Sequence, residues 1–408
     1  MTKITLITGA YQSDRCGIAH YSMCLRRELA QYGVESIVLT TKVAAPADET
    51  DVRGVVKDWG LTQLLPLVQA IIATPTDLLH IQHAAGTYSF ERAIFLLPLL
   101  LRICGYRKPI VTTVHEYGWW EWQPPIIPPQ MMEWLKVWGQ KQRWWDREDG
   151  FLLTGSDAII TTNAAAEKVI LQRLPHYANR LHRIAIAANI EVAPIDRQQA
   201  KQQLRQHYNW SSDALVIAFF GFLHPVKGIE YLLSAFAKVV VQNPHVRLIL
   251  IGGVESLALP EAQAKQYWNK LQGLITQLNL VRQVAMTGYV ETKSASYSLS
   301  GADIGVLPFN HGVTLKSGSL LAMLAHGLPT IATRATPPDP DLSDEILEFI
   351  PTRDVEALTE ALLKLVCNPQ LRDRLSTTGR LFAHRFSWSF IVKQHLDIYQ
   401  MLQASFAN

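Results

Sequence analysis

The sequence predicts an α/β protein of two doubly wound domains in series, each a mostly parallel sheet with helices on both faces. Three observations lead there. Short apolar runs rich in β-branched residues alternate with longer segments of helical periodicity along nearly all of the 408 residues. The runs are continuously apolar, as parallel strands covered on both faces require. The alternation pauses at VAPIDRQQAKQQLRQHYNWSSDA (192–214), which is polar and has no strand character, and then resumes.

The first set of predicted strands reads KITLITG (3–9), ESIVLTT (35–41), LLHIQH (78–83), PIVTTVH (109–115), AIITT (158–162) and HRIAIA (182–187). Between the first two, AHYSMCLRRELAQYG (19–33) carries helical periodicity and stops at glycine. AIFLLPLLL (93–101) has half the length a bilayer demands and reads as a buried helix. The second set reads LVIAFFG (215–221), VRLILIGG (246–253), QVAMTG (283–288), DIGVLPF (303–309), LPTIAT (328–333) and ILEFI (346–350). With the linker in the polar stretch, the domains are expected at 1–190 and 191–386. Ligands of such sheets bind at the carboxyl ends of the strands, so a ligand shared by two of them is expected between the domains.

A composition of 48% hydrophobic and 18% charged residues is that of a soluble globular protein. A formal charge of only +3 argues against nucleic acid as a partner. Cys16, Cys24, Cys104 and Cys367 lack CxxC spacing and read as reduced cytosolic thiols. MTKITLITGAYQSD reads as a strand and turn rather than a signal peptide, so a cytoplasmic location is expected.

The chemistry concentrates at three strand–loop–helix turns. HGVTLKSGSLLAMLAHGLP (311–329) begins a helix with Lys-Ser-Gly-Ser and holds no acidic residue. A helix N-terminus offers free N–H groups and a partial positive charge, which together attract an anion. Lys316 adds a full charge, Ser317 and Ser319 add hydroxyl donors, and Gly312 and Gly318 are expected to let the backbone approach a ligand. A serine-capped helix and an anion site explain this loop equally well. FFGFLHPVKGIEYLLSAF (219–236) supplies a second basic turn, with Lys227 at the helix start. Alone it would be a solvated lysine. Because both lysines leave strands of one predicted sheet, convergence on a diphosphate is the simplest account. RCGIAHYS (15–22) is the third turn, where Gly17 opens a helix after the first strand; it is not a GxGxxG fingerprint. His115 ends the strand PIVTTVH and suits a structural role, a hydrogen bond to a sugar hydroxyl, or proton sharing near neutral pH.

Taken together, CGIAHYS, TVHEY, SDAIITTN, FGFLHPVKG, the GYV after QVAMTG, and SGSLLAMLAHGLPTIAT resemble the retaining glycosyltransferases of family 4, in order and spacing along the whole chain. The resemblance implies the GT-B fold of two Rossmann-like domains. The tail 387–408, containing SWSFIVKQHLDIYQML, would be the helix that returns to the first domain and completes it. It further implies a donor diphosphate held by Lys227 and the 316–319 loop, a base flanked by Tyr289 and Val290, Gly17 beneath donor and acceptor, and His115 on the transferred sugar. The reaction implied moves a sugar from a UDP- or GDP-linked donor to an acceptor hydroxyl with retention. Neither cofactor nor metal is implied, since fixed cations and N–H dipoles can stabilise the leaving diphosphate. DPD (339–341) imitates a metal-binding Asp-x-Asp but sits among prolines and reads as a loop.

Two departures stand out. The family's Gly-Arg-x4-Lys arginine is Phe222, and its E-x7-E glutamates fall on Thr314 and Ala322. A branch of the family with a basic residue before Gly-Ser-Leu-Leu-Ala also lacks the glutamates, and Lys316 fits that branch. With Phe222 in the arginine's place, extra weight is expected on Lys316. An active transferase is the favoured reading, and a non-catalytic relative binding a nucleotide sugar or partner subunit is its rival.

GWWEWQPPIIPPQMMEWLKVWGQKQRWW (118–145) holds seven of the eleven tryptophans. Trp119, Trp120 and Trp122 are expected on the acceptor side. Tryptophan beside Lys136, Lys141 and Arg143 suits peripheral contact with the inner membrane face, or sugar stacking, or a packed lid with buried rings. The acceptor class stays open among a sugar, a lipid-linked molecule and a small aglycone.

Overall fold

The computed structural model describes residues 2–11, 16–121, 127–254 and 260–407. They form two compact units, Met1–Ala185 with Trp388–Asn408, and Ile186–Ser387. Among the described residues the first unit holds seven parallel strands in the order β3-β2-β1-β4-β5-β6-β7. They are β1 Lys3–Thr8, β2 Glu35–Thr41, β3 Val52–Val56, β4 Leu78–His83, β5 Ile110–Val114, β6 Ala158–Thr161 and β7 Leu181–Arg183. Every residue of β4 is buried, including His80, Gln82 and His83, because helices cover both faces of a parallel sheet. Leu97, Pro98 and Leu101 of the 93–101 run are buried in a 3₁₀ turn and the Leu97–Ile103 helix.

β3, VRGVV, is absent from the sequence-based strand list. It is an edge strand carrying a charge and a glycine, so it lacks the continuous apolar run of the interior strands. Its glycine has a packing reason, since a Cβ on Gly54 would lie 2.6 Å from Lys42 Cα.

The Trp388–Ala407 helix belongs to the first unit. Its Trp388 ring lies 5.2 Å from that of Tyr21. His395 Nε2 is 3.5 Å from the Tyr21 hydroxyl, and the Tyr399 hydroxyl is 2.7 Å from His80 Nδ1.

The second unit, among its described residues, holds six parallel strands in the order β10-β9-β8-β11-β12-β13. They are β8 Leu215–Phe220, β9 Val246–Ile251, β10 Val284–Met286, β11 Ile304–Leu307, β12 Thr330–Thr333 and β13 Glu348–Ile350. The polar stretch 192–214 is not a linker, which corrects the sequence-based placement. Asp196 accepts the Gln199 N–H at 3.0 Å and caps a helix, Arg197–His207, which buries Ala200, Leu204 and Arg205 against the unit. The buried stripe is narrow and one of its members is charged, so the segment looks like solvent-exposed chain. Asp303 neutralises that charge: Arg205 Nη2 donates to it at 2.7 Å, Lys201 Nζ at 2.6 Å, and the Val216 N–H at 2.8 Å. One carboxylate thus ties this helix to the start of β8. Removing one partner of a buried pair leaves an uncompensated charge, so Asp303→Ala should lower the unfolding free energy by about 3–5 kcal/mol. Denaturant titration of the variant, followed by circular dichroism, checks this.

Candidate functional site

In the second sheet β8 stands between β9 and β11, so the strand order reverses at β8. A ligand of an open α/β sheet binds at the carboxyl ends on either side of such a reversal. The loops after β8 and β11 are therefore the candidate site.

They interlock. Gly221, just after β8, has φ +131°, and a Cβ there would stand 2.8 Å from Ser319 Oγ. His224 Nδ1 accepts the Val226 N–H at 3.2 Å and shapes the one-turn 3₁₀ segment Pro225–Lys227. Gly228 follows with φ +67°, where a Cβ would fall 2.0 Å from the Pro308 carbonyl oxygen. Asn310 fastens the loops by donating its N–H to the Val226 carbonyl at 2.9 Å and its Nδ2 to that of Pro225 at 3.0 Å. Lys227 is thereby fixed with Nζ 3.6 Å from the centre of the Phe309 ring. The electron-rich ring face favours a cation. Among the described residues no carboxylate pairs with this ammonium. Burial pulls its pKa down to about 8. Lys227 is a half-buried positive charge without a counter-ion among the described residues.

After β11, Asp339 braces the second loop by accepting the Leu315 N–H at 2.9 Å on one oxygen and the Asp341 N–H at 3.1 Å on the other. Ser317 caps the Gly318–Ala325 helix, accepting the Leu320 N–H at 3.2 Å. The Gly318 and Ser319 N–H groups then have no protein acceptor among the described residues. Lys316 is exposed, and its side chain has no hydrogen-bond or ion-pair partner among the described residues. Its N–H donates to Thr314 Oγ1 at 3.4 Å. Ala322 is fully buried, so the position of the family's second glutamate faces the core.

Gly312 and Gly318 are glycines for a reason other than ligand approach. A Cβ on Gly312 would meet the Ala335 backbone at 2.2 Å, and one on Gly318 would meet Asn189 Oδ1 at 1.8 Å. Both make room for protein. Tyr289 is 58% exposed and Val290 half-buried, in the loop after β10. That loop reaches the site edge through a bridge between Gly288 and Gly252, whose own Cβ would lie 2.2 Å from the Gly221 carbonyl. Phe309 and Asn310 are absent from the sequence-based site; the Pro-Phe-Asn after an apolar run is the only trace they leave.

In the first unit Gly17 starts the Gly17–Gln31 helix, with no side-chain cap and nothing within 4 Å of a would-be Cβ among the described residues. His115 is buried after β5, its Nε2 2.8 Å from Gln82 Oε1 and its ring edge-on to Tyr21 at 5.1 Å. Burial, with His83 and His395 nearby, pushes its pKa down to about 3. Burial thus disfavours the charged ring, and its placement beside Gln82 suits a hydrogen-bond partner.

Trp119 is 57% exposed, whereas Trp120 is 8% exposed and sits in the core against Phe95 and beneath Arg92. Trp120 is therefore a packing residue and not an acceptor contact. Trp122 lies outside the described residues. Lys136 is buried and paired with Glu121 at 3.0 Å, so it offers no free charge. A cavity of about 580 Å³ in the second unit is lined by Lys201, Arg205, Trp210 and Asp303. It adjoins Leu215, at the start of β8, and so lies at the opposite edge of the sheet from Lys227.

Gly228 makes the tightest approach to another backbone in this geometry. Gly228→Ala combines a left-handed backbone with a backbone collision and should cost roughly 2–4 kcal/mol. Gly273→Ala, in a helix with open space at its Cβ, should be neutral or stabilising. Thermal unfolding of the two variants side by side checks the contrast.

Residues 214–368 match the family model described as glycosyl transferases group 1. The chain is 28% identical over 201 residues to the D-inositol 3-phosphate glycosyltransferase of Saccharomonospora viridis. That alignment covers 48% of this chain and only 44% of the relative's length. The fold resembles the sucrose-phosphate synthase of Thermosynechococcus elongatus at a TM-score of 0.70, with 20% identity over 99% of this chain and 100% of that one. It also resembles Anabaena HepE, solved in complex with UDP and glucose, at a TM-score of 0.68, with 14% identity over 98% of this chain and 100% of that one. The second unit thus carries, over residues 214–368, the sequence pattern of the group 1 glycosyl transferases, and the chain shares the GT-B fold of solved proteins such as that synthase.

Proposed function

We propose that this protein transfers a sugar from a nucleoside-diphosphate donor to an acceptor hydroxyl with retention of configuration, holding the donor diphosphate at Lys227. The observation that carries the reading is the ammonium of Lys227, half-buried on Phe309 at the strand-order reversal and without a carboxylate partner. A diphosphate supplies the missing negative charge. The Gly318 and Ser319 N–H groups and the Ser319 hydroxyl provide further donors, and Tyr289 provides an exposed ring for a base to stack on. The complexes of HepE with UDP favour UDP over GDP as the nucleotide.

Breaking a glycosyl–diphosphate bond builds negative charge on the leaving oxygen. A fixed cation in a water-poor setting stabilises that charge without reorganising. On this reading the chemistry needs no metal, because the fixed cation and the N–H dipoles take up the leaving charge. Lys227 carries more of the work than Lys316, because a half-buried charge is less screened by water than an exposed one.

Lys227→Ala should weaken UDP binding by roughly ten- to a hundredfold, the loss of a charge-assisted contact of about 1.5–3 kcal/mol. Lys316→Ala should cost less. Titration calorimetry with bare UDP measures both, and unchanged affinity in Lys227→Ala would remove the donor site from this place.

The lysine also sets a pH dependence. Its free pKa is about 8, and a bound diphosphate raises it by favouring the charged form. Below pH 8 the ammonium is already present and affinity should be flat with respect to this group. Above it, binding must take up a proton, and affinity should fall by as much as roughly tenfold per pH unit. Lys227→Ala should abolish that limb.

His115→Ala should leave UDP affinity unchanged and abolish turnover of a UDP-sugar. Binding of UDP with no release of UDP from any sugar donor by the wild-type chain would leave a binding protein in place of an enzyme.

A further inference from the structure

We infer that the Pro129–Lys141 helix and the turn after it dock this protein onto an anionic lipid surface. That helix exposes large apolar side chains to solvent: Met131, Trp134 and Val137 are 50%, 61% and 51% exposed. Trp144, beyond the helix end, is 56% exposed. The indoles of this region form one cluster of stacked and edge-on rings. Trp134 and Trp138 lie 6.0 Å apart and nearly parallel, Trp138 meets Trp144 at 4.9 Å, and Trp145 meets Trp138 at 6.0 Å. Trp145 is seated across the helix at Gly139, where a Cβ would fall 1.9 Å from its ring. A folded protein that keeps indoles fixed in water has a use for them outside itself.

Charge identifies the partner. The acidic residues around this surface are engaged by neighbours. Lys136 and Arg147 hold Glu121 at 3.0 and 2.8 Å, Arg147 also holds Glu133 at 3.1 Å, and Arg173 holds Glu148 at 2.8 Å. Asp146 is buried, accepting the Tyr117 hydroxyl at 2.7 Å. Lys141 and Arg143 are exposed and, among the described residues, have no carboxylate partner. The surface therefore presents indole rings flanked by free cations. Indole settles at the headgroup level of a bilayer, where its ring is half in hydrocarbon and its N–H in water. Cations beside it select anionic headgroups over neutral ones. Among the described residues no helix is long and apolar enough to cross a membrane, so the contact lies at the surface.

The proposal is independent of the donor site, and vesicles test it. The full chain is sedimented with vesicles of phosphatidylcholine alone and of phosphatidylcholine with phosphatidylglycerol. It should partition to the anionic vesicles, with tryptophan emission shifted to the blue and quenched by brominated acyl chains. Trp134→Ser with Trp144→Ser should weaken partitioning roughly tenfold or more. Lys141→Gln with Arg143→Gln, which leaves the rings in place, should weaken it roughly thirtyfold and remove most of its salt dependence. Unchanged circular dichroism and thermal unfolding in both variants show that they are folded. Absence of partitioning, or partitioning indifferent to both double substitutions, overturns the proposal. So does Trp134-dependent self-association without lipid, which would make this face an interface between protein copies.

Discussion

In a parallel sheet every strand ends at the same edge, and the chain must travel back across a face before the next strand can begin. This constraint puts all the functional loops of each unit on one side. Where the strand order reverses, neighbouring connections run to opposite faces and leave a gap. In the second unit that gap lies at β8 and β11, strands separated by two other strands in the sequence. The Lys227 turn and the Phe309–Asn310 turn meet only because of this order. Their packing is tight enough that Gly228 can carry no side chain. The unpartnered ammonium is thus a product of topology: the loop that approaches it brings an aromatic ring and an amide, and no acid.

What could be read from the sequence follows the same physics. Interior strands such as LLHIQH and VRLILI are buried on both faces, so their composition announces them. β3 is covered on only one edge, and its Arg53 and Gly54 break the pattern. The Arg197–His207 helix was hidden because one of its three buried residues is an arginine, legible only with Asp303, far along the chain, in view. At the site, Lys227, Ser317 and the helix starts were legible because each is announced by its immediate neighbours. The state of Lys227 was not, since it depends on residue 309. The packing reason for Gly312 and Gly318 is not legible, because a glycine that makes room for a ligand and one that makes room for Ala335 or Asn189 have the same letter. Trp119 and Trp120 are adjacent, yet one faces water and the other the core, a difference set by the turn that Glu148 holds through the N–H groups of residues 118–120.

The floor of the first unit holds an uncommon density of histidine. His80, His83, His115 and His395 are all buried, and burial drives the pKa of His80 well below the ordinary value and that of His395 to about 4. A neutral imidazole needs a donor and an acceptor at once. Gln82 serves two of these rings, with Oε1 2.8 Å from His115 Nε2 and Nε2 3.2 Å from His80 Nε2. One amide therefore correlates the proton positions of two histidines on neighbouring strands.

The last link of that network comes from the far end of the chain. His80 Nδ1 is partnered by Tyr399, and Tyr21 packs on Trp388 and His395. Every residue of the second unit lies between these partners in the order of synthesis. A ribosome releases the seven strands of the first unit long before it releases the helix that satisfies them. During that interval His80 and Tyr21 have no native partner from the Trp388–Ala407 helix, while the second unit has all of its residues and can fold first to completion. The first unit is thus completed only after all of the second has been made, and a ribosome stalled before residue 388 would leave it open.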